Sequence, residues 1–133
     1  MSSGCVGAPV AALSKLQSFM EGHSDVFFYY SSDWGGVQIG QLIQRQGLKG
    51  KVFGLGFNLN SAMVQLLQED LLIGTIDQRY DLQAKNWMLG CAELLLDHKA
   101  PPEFNWVAPN VWTSDNVSEA LKLYANIPNS GVS

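Results

Sequence analysis

Cysteine, histidine and positive charge are all scarce in this chain, and each shortage closes off a class of function. Two cysteines and two histidines stand among 133 residues. Neither cysteine has a CxxC partner or a histidine at ligand spacing, so there is no motif for a structural metal site. Cys5, in a Gly/Ser-rich start, reads as a solvent-exposed thiol, and Cys91, in an apolar helical stretch, as a core thiol. Eight Lys and Arg against twelve Asp and Glu give a formal charge of −4, with the cations scattered rather than clustered. A nucleic-acid binder must replace condensed counterions with its own cations, so no nucleic-acid partner is expected. No run reaches the roughly 20 apolar residues that span a bilayer, so no membrane insertion is expected. Met1-Ser-Ser-Gly-Cys-Val-Gly-Ala-Pro9 has neither the basic start nor the apolar run of a secretory signal. As written, the chain carries no export address and would stay cytoplasmic.

Catalytic chemistry is also missing. A site would need a nucleophile beside a base, paired carboxylates or converging metal ligands, and none is found. His23 falls in a turn and His98 at a helix end, where surface and capping roles suffice. Gly54-Leu-Gly56 lacks the third glycine of a dinucleotide fingerprint, since Phe57 and Asn58 follow, and reads as close strand packing. The chain is therefore expected to be no enzyme, with no cofactor and no metal.

What is present is a foldable domain. Hydrophobic residues make up 47% and charged residues 15%, which fits one globular unit able to bury a core without disulfides. Residues 1–9 read as a flexible N-terminus, 10–126 as one lobe and 127–133 as a flexible C-terminus. Val10 to Met20 has the three-and-four apolar spacing of a helix. Val26 to Tyr30 is an unbroken apolar run, as a strand covered on both faces requires. A Gly-rich link leads to a helix carrying Ile39, Leu42 and Ile43 on one face. Lys51 to Gly56 gives a second strand, and Asn58 or Asn60 is placed to cap the helix of Met63, Leu66 and Leu67. Leu71 to Ile76 is the third strand. Asp81 to His98 is the longest helix, with Ala84, Trp87, Met88, Cys91 and Leu95 as its inner stripe. Phe104 to Val107 is a further strand candidate, and Asp115 to Ala125 a short last helix. Strands alternating with helices predict the α/β class, a three-layer αβα open parallel sheet of flavodoxin type.

In open sheets of this kind ligands bind beyond the carboxyl ends of the strands, where helix N-termini converge. Three loops fall there: Ser31 to Gly36, Gly56 to Asn60 and Asp77 to Asp81. Asp33, Trp34, Asn58, Gln78 and Arg79 are the candidate ligand-binding residues. Carboxylates and carboxamides serve vicinal hydroxyls, Arg adds a fork of donors, and a Trp face stacks on a sugar ring. Asp33, Asn58, Asn60 and Asp81 could equally be helix caps.

Gly74-Thr-Ile-Asp-Gln-Arg-Tyr-Asp-Leu-Gln-Ala84 resembles the type I periplasmic sugar-binding proteins, which often run Thr-Ile-Asp-Gln-Gln-Pro-Tyr-Leu-Gln-Gly here. Lys51-Val-Phe-Gly-Leu-Gly-Phe-Asn58 is similar to their Val-Val-Gly-Phe-Asp strand. Ser24-Asp-Val-Phe-Phe-Tyr-Tyr-Ser-Ser-Asp33 and Val111-Trp-Thr-Ser-Asp-Asn-Val117 resemble two more of their segments, in the same order. The resemblance covers about residues 10–117 and implies the C-terminal lobe of a two-lobed, periplasmic, ABC-transporter-type solute-binding protein, with the lobe's first strand missing. It implies ligand contacts at Asp33, Asn58 and Gln78. Asn58 stands where the family commonly has Asp, Ser32 replaces Asn, Tyr80 replaces Pro and Ala84 replaces Gly, so the sugar is left open. A lone lobe offers half the contacts and cannot close over its ligand, which implies weak binding. Two alternatives stand beside this reading. One is a homodimeric interaction module, joined through the unpaired sheet edge that a missing strand would leave. The other is the effector-sensing part of a regulator.

Overall fold

The structure is a computed structural model and describes residues 8–33 and 35–123. The expected flexible tails and the exposed Cys5 lie outside those residues. Helix α1 (Ala8–Gly22) leads into strand β1 (Phe28–Tyr30), helix α2 (Gly35–Arg45), strand β2 (Phe53–Phe57) and helix α3 (Ser61–Gln68). Strand β3 (Gly74–Asp77), helix α4 (Tyr80–Asp97), strand β4 (Asn110–Trp112) and helix α5 (Val117–Leu123) complete the order. The sheet runs β1-β2-β3-β4. β1, β2 and β3 are parallel neighbours, whereas β4 returns antiparallel beside β3. The α/β class and the lobe-type sheet hold, and the sheet is mixed rather than wholly parallel.

Strand alternation sorts the sheet into two unlike faces. Tyr29, Gly54, Gly56, Thr75 and Trp112 point to one side, toward a core built from Met20 of α1, Leu42 and Ile43 of α2, Met63 and Leu67 of α3, and Val117 and Ala120 of α5. Burying this many aliphatic side chains, at about 1.5–3 kcal/mol each, is what holds the layer together. The glycines of β2 let the helices approach. A methyl group on Gly54 would lie 2.6 Å from both Ile39 and Leu72, and one on Gly56 would overlap the Met63 methyl. Gly54-Leu-Gly56 is thus a packing device, as its spacing suggested.

Among the described residues the opposite face is open. Phe28, Tyr30, Phe53 and Val111 share it through the strand register, and they remain 39 to 54% exposed. The expectation that Val26 to Tyr30 is covered on both sides is therefore corrected: β1 alternates exposed, buried, exposed. The reason is the state of α4, which buries none of its residues. Its expected inner stripe is an exposed one, with Trp87, Met88 and Leu95 at 75, 69 and 74% exposure and Ala84 also exposed. Cys91 is half-buried rather than core. A helix rich in Leu, Ala, Gln, Glu and Lys forms on local preference, and residues 101–107 lie along one side of it without burying its stripe. Residues 104–107 are irregular rather than a strand, and β4 follows them instead. Trp112 is buried on the core face, while Trp106 is exposed.

Candidate functional site

Because β1, β2 and β3 are parallel neighbours, the segments that follow them leave the sheet along one edge. Backbone bonds carry this adjacency past the strand ends. Ser31 N–H donates to Leu55 O (3.2 Å), and Asn58 N–H donates to Ile76 O (2.7 Å). The ends of the three expected loops therefore lie side by side.

Asn58 is a buried residue in the left-handed region, with φ of 66°. Asn tolerates this conformation better than other non-glycine residues, because its short amide can bond locally. The Thr75 hydroxyl donates to Asn58 O (2.6 Å) and so fixes its peptide. Gln78, from the neighbouring loop, donates through Nε2 to Asn58 Oδ1 (2.9 Å) and to the Tyr80 hydroxyl (2.7 Å). Both Nε2 protons of Gln78 are thereby used. Gln78 Oε1 is left as an acceptor and Asn58 Nδ2 as a donor, neither bonded within the described residues. One acceptor and one donor at a polar rim match a hydroxyl group, which can both give and take a hydrogen bond.

Asn60 is the helix cap and Asn58 is not, which separates two residues that sequence left equivalent. Asn60 is extended, and its Oδ1 accepts from Met63 N–H at 2.9 Å. Asp33 lies in the loop after β1 and is exposed. Its backbone is held by Ser31, whose Oγ donates to Asp33 O (3.2 Å), and no hydrogen bond joins it to Asn58 or Gln78. Trp34 lies outside the described residues.

Arg79 is engaged by its neighbours. It too is left-handed, with φ of 58°, and its guanidinium forms a fork with Asp81 through Nε (2.9 Å) and Nη2 (2.8 Å). Those bonds hold the Asp81 carboxyl below its usual range, against a smaller opposing effect of burial. The fork is thus directed at the start of α4. Sequence reasoning gave no role to Asp77 beyond its place in the loop, and here it is the anchor. Buried at the end of β3, its carboxylate accepts from Arg79 N–H (3.1 Å) and from the Trp112 indole N–H (3.0 Å). An Asp directly after a strand, able to accept from the backbone two residues on, is the signal that could have marked this turn.

Among the described residues no group of three His, Cys, Asp or Glu could hold a metal ion, and no helix is long and apolar enough to cross a membrane. No protein-family profile matches the chain, and no curated protein does. Solved structures do match its fold. An ABC transporter solute-binding protein from Agrobacterium vitis, bound with α-D-tagatopyranose, superposes with a TM-score of 0.76 at 18% identity, over 89% of this chain and 40% of its own. An ABC transporter periplasmic solute-binding protein from Actinobacillus succinogenes, with bound D-allose, gives 0.73 at 16% identity over 81 and 38%. A protein from Bacteroides fragilis named as a LacI transcriptional regulator gives 0.74 at 21% identity over 86 and 39%. The chain has the fold of one lobe of the type I periplasmic sugar-binding proteins. It spans about two fifths of the length of the proteins it resembles.

Proposed function

We propose that this chain is one lobe, by the order of its motifs the C-terminal one, of a sugar-type solute-binding cleft, and that it acts by binding rather than catalysis. The observation that carries the reading is the Asn58–Gln78 pair, an interlocked amide couple on the carboxyl edge of the sheet. Its outward donor and acceptor suit vicinal hydroxyls. Asp33, in the loop after β1, supplies a charged acceptor. Arg79 orients the Gln78 turn through Asp77 and Asp81 rather than touching the ligand. Solute-binding proteins of the same fold hold fucose, allose and arabinose, which supports a monosaccharide as the ligand and the periplasm as the place of action. A single lobe makes half the contacts of a closed cleft, so a millimolar dissociation constant, about −4 kcal/mol, is expected.

The test is a calorimetric and NMR titration of the chain with a panel of pentoses and hexoses. Weak saturable perturbation confined to the three loops supports the reading. A flat response across the panel removes it. The likeness to a transcriptional regulator favours one second reading, the effector-sensing lobe of such a protein, which would use the same edge. A DNA-binding segment on the same polypeptide would separate the two.

A further inference from the structure

We propose that the chain forms a helix-exchanged homodimer, in which α4 of each copy lies across the open sheet face of the other. Among the described residues, two apolar surfaces of one molecule lack cover. The sheet contributes Phe28, Tyr30, Phe53 and Val111, and no charged side chain lies on that face of the strands. The helix contributes Trp87, Met88 and Leu95 on one side, while Leu89 and Leu96 are exposed on the other. An apolar side is what a helix needs in order to be buried against a partner.

The dimensions fit. An 18-residue helix is about 27 Å long at 1.5 Å per residue, and four strands about 4.8 Å apart make a sheet it can cross. Large side chains expose on the order of 200 Å² each. At the exposures observed, the two surfaces of one chain together offer on the order of 800 Å², about what each partner buries in a stable interface.

The helix is held away from its own sheet, which makes a second copy the occupant. At its start, Gln83 Nε2 donates to Gln78 O (2.7 Å), and the Arg79–Asp81 fork sets the exit direction. Along its length, residues 101–107 lie beside it: Asn86 bonds Asn105 (3.1 Å), and Gly90 faces Pro101. A free sheet edge is the weaker route to a dimer, because both outer strands are only three residues long. Exchange of an identical element between copies is also an economical way to associate. This inference does not depend on the ligand reading.

Mixing two variants tests it, with mass read by light scattering and folding by circular dichroism. Met88→Lys with Leu95→Lys spoils the helix, and Tyr30→Lys with Phe53→Lys spoils the sheet face. The wild-type chain is expected at twice 14.6 kDa, and each variant alone as a monomer. An equimolar mixture is expected to recover dimers, because one unaltered helix then meets one unaltered sheet. A monomeric wild-type chain, a dimer that survives both variants, or a mixture that stays monomeric would overturn the proposal. If a variant fails to fold, wild-type chains of two isotopic labels replace it. Contacts between Met88 of one copy and Phe53 of the other support exchange, and a dimer without them contradicts it.

Discussion

Asp77 concentrates the residue-scale chemistry of the site edge. A buried carboxylate is tolerated only when it is well bonded, and its oxygens receive the Arg79 backbone and the Trp112 indole. Trp112→Phe removes one of these donors while keeping most of the ring. It is expected to cost about 1–3 kcal/mol in urea unfolding, since an acceptor is left short. Asp81 gives a pH prediction. Its carboxyl titrates lower in the folded chain than its ordinary 3.8 because Arg79 bonds the charged form. The unfolded chain therefore takes up the proton first as pH falls. The stabilisation is present above pH 3.8 and is lost as pH drops through the folded value. Asp81→Asn should melt below wild type at neutral pH, with the gap closing in acid; a constant gap would exclude the ionic contribution. Tyr29 works in the opposite direction. Burial, with Asp25 nearby, raises its hydroxyl above 10, so its contribution is complete below pH 10 and lost as pH rises through the folded value. Tyr29→Phe should flatten the alkaline end of the stability curve. Sequence placed Asn58, Gln78 and Arg79 on one edge but could not divide their roles. Asn58 and Asn60 look alike in a string, and only backbone conformation separates the left-handed residue from the cap.

Elements were legible wherever local pattern decides. The helices and parallel strands fall within a few residues of their expected places, because three-and-four spacing, Gly punctuation and short apolar runs are local signals. The cap at Asn60 is one such signal, and Asn60→Ala is expected to cost about 1 kcal/mol in thermal or urea unfolding. Gly56 adds a non-local constraint, since Met63 occupies the space of a side chain. Gly56→Val should destabilise by about 1–3 kcal/mol or more by overpacking, and an unchanged midpoint would mean that α3 is not seated on β2 as described. Misreadings arose where the outcome depends on what lies opposite. The stripe on α4 reads as an inner face but is exposed, because periodicity cannot say whether anything in the same chain covers it. Trp87 departs from its expected buried place for that reason, and Trp112 is buried through a long-range pairing of β4 with β3.

At the scale of the molecule the chain is a core-packed half with two exposed surfaces of different character. The carboxyl edge is polar and is proposed to meet a sugar; the open sheet face and α4 are apolar and are proposed to meet a second copy. The two do not compete, because the loops lie at the strand ends and the open face along the strands. The central claim is the ligand edge, and the side-chain amides of Asn58 and Gln78 report on it most directly. In a ¹⁵N-labelled chain, adding a monosaccharide should shift both amide pairs together, with Asp33 following. Replacing Gln78 by Ala should abolish the response without unfolding the chain. Unmoved amides throughout the panel, or shifts confined to distant residues, would contradict the assignment of this edge as half of a sugar-binding cleft.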